Sequence, residues 1–142
     1  GRRLLLENYP SIMPGGHDAP AFFERLSRDT GAGVLFDVSN AVCSNLNCGL
    51  ELEAWLPVIE ASEHFHVAGY NLSILQPHLV LDTHDRPLSD ATLDFLQRYW
   101  PSFEGADATL TYERDDAFEE AEIRADLARL RGLAEGRNHA NA

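Results

Sequence analysis

The chain reads as an α/β protein built on a parallel sheet covered by helices, and three observations carry that reading. Short, nearly continuous apolar runs of strand length recur at residues 3–8, 33–40, 64–69 and 108–114. Between and after them lie segments whose apolar residues return at three- and four-residue spacing, the period of an amphipathic helix. Strands buried on both faces and alternating with helices belong to parallel sheets, because each crossover lays a helix against the sheet. Finally, carboxylates and histidines collect where the apolar runs stop, at the strand ends where such folds build their sites. At 142 residues and 44% hydrophobic content, the chain fits one domain with a sizeable core.

Each element has its own signal. Residues 3–8, RLLLEN, form the first strand and end in Glu7-Asn8; residues 9–17 are a loop rich in Pro and Gly. Asp18 is placed to cap the next helix, with Pro20 tolerated in its first turn, Phe22, Phe23 and Leu26 on its apolar face, and Gly31 at its stop. Residues 33–40, GVLFDVSN, form the second strand, with Asp37 at its end and Asn40 three residues on. A loop holding Cys43 and Cys48 leads to a helix from about Glu51, marked by Leu52, Trp55, Leu56 and Ile59, which Pro57 should kink or shorten. Residues 64–69, HFHVAG, form the third strand, with His64 and His66 on one face and Phe65 and Val67 on the other.

Residues 70–78 are too few for a helical crossover with its loops, so residues 79–87, LVLDTHDRP, are expected as a short extended insert. Asp82 and His84, two positions apart, point to one side of an extended backbone, where one metal ion could take both. Ser89 caps a helix carrying Leu93, Phe95, Leu96, Tyr99 and Trp100, stopped by Pro101. Residues 108–114, ATLTYER, form the fourth strand, ending in Glu113 and followed by Asp115-Asp116. The last helix is expected from about Ala117 to Arg131, with a core stripe of Ile123, Leu127 and Leu130 and an i,i+4 pair of Glu120 with Arg124. Arg129 and Arg131 would suit the dipole in its last turn. Residues 1–131 are thus expected to form four strand-helix units, and residues 132–142 a disordered tail.

Composition excludes several functions. Eleven basic against 23 acidic residues give a net charge of −12 with no Lys/Arg cluster, which disfavours nucleic acid as a partner unless a metal site attacks phosphates directly. No apolar run approaches the roughly 20 residues that cross a bilayer, so no membrane partner is expected. Arg2-Arg3 precede Leu4-Leu5-Leu6, but the run turns acidic at Glu7 without a cleavage site, and the chain reads as cytoplasmic. Two cysteines are too few for a four-thiolate zinc site and define no secreted disulfide framework, so both are read as free thiols.

In a parallel α/β fold the C-terminal strand ends share one rim. Glu7, Asp37, His66 and Glu113 fall there, with Asn40, Asp82 and His84 on adjoining loops. Oxygen and imidazole without thiolate is the ligand mix of non-haem iron or manganese, and less typically of zinc. Any one of these residues alone is more often a cap or a loop-bonding group. Seven together without a cation would repel and suffer desolvation, which favours a metal centre. Ordinary structural roles are expected for His17, His64, His78, Asp85, Asp115, Asp116 and His139, and the aromatic helix positions are core.

Five segments occur in an order that resembles the landmarks of the DUF692 family: LLEN at 5–8, TGAGVLFDVSN at 30–40, HVAG at 66–69, LDTHDRP at 81–87 and YERDD at 112–116. These are multinuclear non-haem iron-dependent oxidative enzymes that modify ribosomally made peptides. The resemblance implies a TIM barrel with two or three irons at its rim. It also implies oxidation of cysteine in a precursor peptide using O2, and a small partner protein that presents the peptide. Glu7, Asp37, Asn40, His66, Asp82, His84 and Glu113 match family metal ligands, with Glu7, Asp37, His66 and Glu113 expected at the reacting centre. Tyr70 stands where the family often carries a second histidine.

A complete (β/α)8 barrel takes roughly 250 residues. The chain is therefore expected to be approximately the C-terminal half of a TIM barrel, completed by an N-terminal half-barrel chain or as a homodimer. Such a half would leave two strand edges and an apolar interior face open. Two other readings remain at this stage. One is a xylose-isomerase-like barrel using Mg, Mn or Zn for sugar isomerisation or phosphodiester cleavage. The other is a non-catalytic truncated remnant that binds proteins.

Overall fold

The structure is a computed structural model that describes residues 3–12, 18–103 and 108–135. Four strands, β1 (Leu5–Glu7), β2 (Gly33–Asp37), β3 (His64–Ala68) and β6 (Thr109–Glu113), pair in parallel in the order β1-β2-β3-β6. Between β3 and β6 a short antiparallel hairpin is inserted, β4 (Tyr70–Leu72) and β5 (Val80–Asp82). The alternation of strand and helix is that of a partial (β/α) barrel, as the sequence predicts.

Register settles what each face of the sheet carries. Glu7 lies opposite Leu35, Asp37 opposite His66, His66 opposite Thr111, and Ala68 opposite Glu113. Side chains alternate along a strand, so Glu7, Leu35, Asp37, His64, His66, Thr109, Thr111 and Glu113 share one face. Leu6, Val34, Phe36, Phe65, Val67, Leu110 and Tyr112 share the other, and this face packs with the helices to make the core. Phe36 and Phe65 are its centre, with Phe65 and Phe103 rings 4.6 Å apart. The expected apolar interior face is thus corrected: the face turned away from the helices is mostly polar and carries the candidate ligands.

The helices show where local signals are overridden. In α1 (Ala19–Thr30), Pro20 sits in the first turn and Gly31, at φ 73°, ends the helix by donating its N–H to the Ser27 carbonyl. Asp18 holds the N-cap position, but its side chain makes no capping hydrogen bond, and Phe22 is 44% exposed, edge-on to buried Phe23.

The expected cysteine loop is instead a helix, α2 (Val38–Cys48). Its Asn and Ser residues are poor helix formers because their side chains compete for backbone groups. Here those side chains are occupied elsewhere. The Asn47 amide pairs with both backbone groups of Val80, accepting from the N–H at 2.8 Å and donating to the carbonyl at 3.0 Å, and Asn45 donates to the Leu50 carbonyl. Val38, Ala41 and Val42 supply the buried face.

Pro57 shortens the next helix, as expected: a 3-10 turn (Leu52–Trp55) gives way to α3 (Leu56–Glu60) with Pro57 in its first turn. Ser89 caps α4 (Asp90–Phe103), its Oγ accepting the Thr92 N–H at 3.0 Å. Pro101 does not stop α4, which runs on until Phe103 is buried against Phe65 and Phe95. α5 (Glu120–Glu135) starts later and ends later than expected, reaching into the anticipated tail. Arg129 and Arg131 therefore precede its last turn, and Arg129 pairs with Asp90 at 2.7 Å instead. Leu130 is buried, Ile123 and Leu127 only half so, and Asp126 is buried beside them. His17, His139 and residues 136–142 of the expected tail lie outside the described residues. Among those described, no helix is long and apolar enough to cross a membrane.

Candidate metal centre

Asp37 is the pivot. It is the last residue of β2 and the N-cap of α2, fully buried, with Oδ1 accepting the Asn40 N–H at 2.6 Å. The pairing of β1 with β2 ends at Glu7, but the buried Asn8 side chain continues it. Its Oδ1 accepts the Asp37 N–H at 2.7 Å and its Nδ2 donates to the Asp37 carbonyl at 2.9 Å, imitating a further strand residue. On the other side the Ser39 hydroxyl does the same for Ala68, accepting its N–H and donating to its carbonyl. The rim beside Asp37 is therefore held on both flanks by side chains standing in for peptide groups.

Two groups of ligand atoms converge on this carboxylate. Glu7, Asp37 and His66 each bring one donor atom within 4.8 Å of the others, and so do Asp37, His84 and Glu113. Glu113 also approaches both imidazoles: its Oε1 lies 2.8 Å from His66 Nδ1 and its Oε2 3.4 Å from His84 Nδ1. The first approach lacks hydrogen-bond geometry, so His66 Nδ1 has no hydrogen-bond partner among the described residues.

His84 reaches the group from the loop after β5. Its backbone is left-handed, φ 54°, and its Nε2 donates to Asp82 Oδ2 at 2.7 Å. Its N–H donates to the Gly69 carbonyl and its own carbonyl accepts the Asp115 N–H, both at 2.9 Å. Gly69 is required here, because a Cβ would stand 1.9 Å from the Arg86 carbonyl oxygen. The loop presenting His84 lies directly on glycine backbone.

The electrostatics show a site short of positive charge. Burial pushes the Asp37 carboxyl up to about 7, helped by the charges of Asp82 and Glu7 and opposed by the Asn40 N–H. Burial likewise raises Glu7, and raises Asp82 despite its bond to His84. For His84, burial disfavours the imidazolium, but the bond to Asp82 and the charges of Asp82, Glu113 and Asp37 outweigh it and the pKa rises. Asp37 Oδ2, Asn40 Oδ1 and Asp82 Oδ1 are buried without hydrogen-bond partners among the described residues. Unpartnered acceptors on crowded carboxylates are costly, and a cation removes both the repulsion and the vacancy in bonding. Hard oxygens with imidazole fit a divalent first-row metal.

The structure brings Glu7, Asp37, His66, His84 and Glu113 into the two groups, with Asp82 joined through His84. Asn40 stands in the first turn of α2; besides holding Asp37 through its N–H, its Nδ2 donates to the Asn8 carbonyl at 2.9 Å. Sequence reasoning missed Asp115, whose Oδ2 lies 3.2 Å from His84 Nδ1, although its position two residues past Glu113 was a usable signal. His64 meets the Thr109 hydroxyl, Asp85 accepts from Thr83, and Asp116 accepts the Ala117 N–H. Cys43 is buried with its thiol pushed well up by burial, and neither cysteine forms a disulfide.

A family model described as "RiPP precursor modification enzyme MbnB/TglH/ChrH" matches residues 1–135. The chain belongs to this family. Curated relatives of this chain, each named UPF0276 protein, include one from Caulobacter sp. (strain K31), 36% identical over 69% of this chain and 37% of its own length. One from Rhizorhabdus wittichii is 34% identical over 82% of this chain and 41% of its own. One from Psychromonas ingrahamii is 26% identical over 98% of this chain and 48% of its own. The chain thus spans less than half the length of these relatives, in keeping with a sheet of four strands.

Proposed function

We propose that the protein is the C-terminal half of an iron-dependent enzyme that oxidises cysteine in a ribosomally synthesised precursor peptide with O2. The observation that carries this reading is the buried Asp37 carboxylate, shared by two ligand groups and keeping one oxygen without a hydrogen bond. Glu7, Asp37 and His66 would hold one iron, and Asp37, His84 and Glu113 a second, with Asp82 and Asn40 beside them. Bound iron would supply a redox couple and open positions for O2 and a thiolate. The family match to precursor modification supports a peptide substrate.

The chain's own groups have distinct tasks. Asn8 holds the Asp37 backbone and the Asn40 N–H holds Oδ1 of its carboxylate, which leaves Oδ2 for a metal. Asp82 takes the Nε2 proton of His84 into a hydrogen bond, which leaves Nδ1 as the nitrogen that faces Glu113. The polar sheet face with Thr109 and Thr111 gives a precursor segment hydrogen-bonding groups below the rim. Residues 1–131 serve as the half-barrel, an N-terminal half or a second copy completes it, and a small partner presents the peptide. The reading puts the enzyme in the cytoplasm, where such precursors are made.

Anaerobic purification followed by metal analysis tests the proposal, together with O2 uptake on a Cys-containing precursor in the presence of the completing half. Iron with visible absorbance and peptide-dependent O2 uptake are expected. Colourless preparations holding manganese or zinc, or no O2 uptake with iron loaded, would overturn it.

A further inference from the structure

We propose that Asp126, on the far side of the sheet from the ligands, is a positioning residue for the metal centre; this rests on the reading above. The residue is 1% exposed in the middle of α5, where the neighbouring positions Ile123, Leu127 and Leu130 are apolar. A leucine there would satisfy the helix, and a buried charge is costly unless fully bonded. Asp126 is bonded, and its partners belong to the two segments that present Glu113 and His84. Oδ2 accepts the Tyr112 hydroxyl at 3.0 Å, and Tyr112 immediately precedes Glu113. The same Oδ2 accepts the Leu88 N–H at 2.9 Å, four residues after His84. Arg129 completes the brace, with Nη1 donating to the Leu88 carbonyl at 3.1 Å and lying 3.6 Å from Asp126 Oδ1.

The loop needs such a brace. His84 is held in the left-handed region, a strained backbone for a non-glycine residue that persists only where the surroundings over-determine it. Toward the chain's start the loop is tied by the Gly69 carbonyl and laid on Gly69 itself; toward its end it is tied at Leu88 by Asp126. Releasing the second tie lets the loop lift from Gly69 and withdraw the His84 imidazole.

The test compares Asp126→Ala, Asp126→Asn and Tyr112→Phe in the full chain, using Co(II), whose d–d absorption reports its coordination. Folding is checked by circular dichroism, and amide exchange is read in the metal-free protein. Asp126→Ala should weaken Co(II) binding by about 10–100-fold and change its spectrum, the usual effect of losing a group that orients a ligand. It should also strip exchange protection from the His84 and Asp115 amides while sparing those of Phe36 and Phe65.

Asp126→Asn keeps one oxygen able to accept both bonds and should restore all three readouts. Tyr112→Phe should give a smaller loss. Wild-type affinity, spectrum and His84 protection in folded Asp126→Ala would overturn the proposal. Should Asp126→Ala not fold, Tyr112→Phe decides: weakened binding supports the brace and wild-type binding overturns it. Should the wild type bind no Co(II), the metal reading fails, and His84 amide protection still decides whether Asp126 positions the loop.

Discussion

Asp37→Asn should stabilise the metal-free protein while removing its response to metal. The native carboxyl, pushed by burial from 3.8 to about 7, keeps a proton that the unfolded chain has already lost between those values. The native state then binds more protons than the unfolded state, so stability falls as pH rises through that window and the full penalty stands above pH 7. The gap between 3.8 and about 7, at roughly 1.36 kcal/mol per pH unit, bounds the penalty at about 4 kcal/mol. An amide at this position carries no charge and still accepts the Asn40 N–H.

Near pH 8 the variant should therefore melt higher by up to roughly 8–16 °C, at about 2–4 °C per kcal/mol, and near pH 4 the two proteins should melt together. Added Co(II) should raise the melting temperature of the wild type, because it binds only the native state, and barely move the variant. Differential scanning calorimetry at both pH values, with EDTA and with Co(II), reads every arm. A variant no more stable than wild type at pH 8, or one stabilised equally by Co(II), would refute the account of Asp37 as a buried, shared ligand.

Gly69→Ala should disrupt the loop that carries His84, since its Cβ meets the Arg86 carbonyl; Co(II) titration should show binding weakened by at least tenfold, with a lower melting temperature. Asn8→Ala breaks both bonds to the Asp37 backbone inside the protein and should cost about 2–4 kcal/mol in urea unfolding. In metal-free protein, NMR should find His84 titrating above 6.5, and Asp82→Asn should lower that midpoint. The stability contributed by His84's raised midpoint is therefore fully present below pH 6.5 and lost as pH rises through that midpoint.

Much of the site was legible because strands bury continuous apolar runs and chemistry gathers where those runs end. HFHVA reads directly as two faces, and register then puts His66 beside Asp37. The helix α2 was not legible, since its asparagines look like loop formers until Val80 and Leu50 are in place to take their amides. Asp115 looked like one more solvated acid, and only the turn of the chain at the end of β6 brings it to His84.

Local composition and periodicity determined the alternation of strand and helix, the acids and histidines at strand ends, and the family resemblance. Those are properties of neighbouring residues and need no knowledge of distant ones. Tertiary structure alone decided that two ligand groups share Asp37, that the sheet face away from the helices is polar, and that His84 adopts a left-handed backbone. It alone turned Asp126 inward to tie residues 38 and 14 positions away. Such contacts depend on register and loop path, which are set when the whole core packs and leave no trace in the spacing of any single segment.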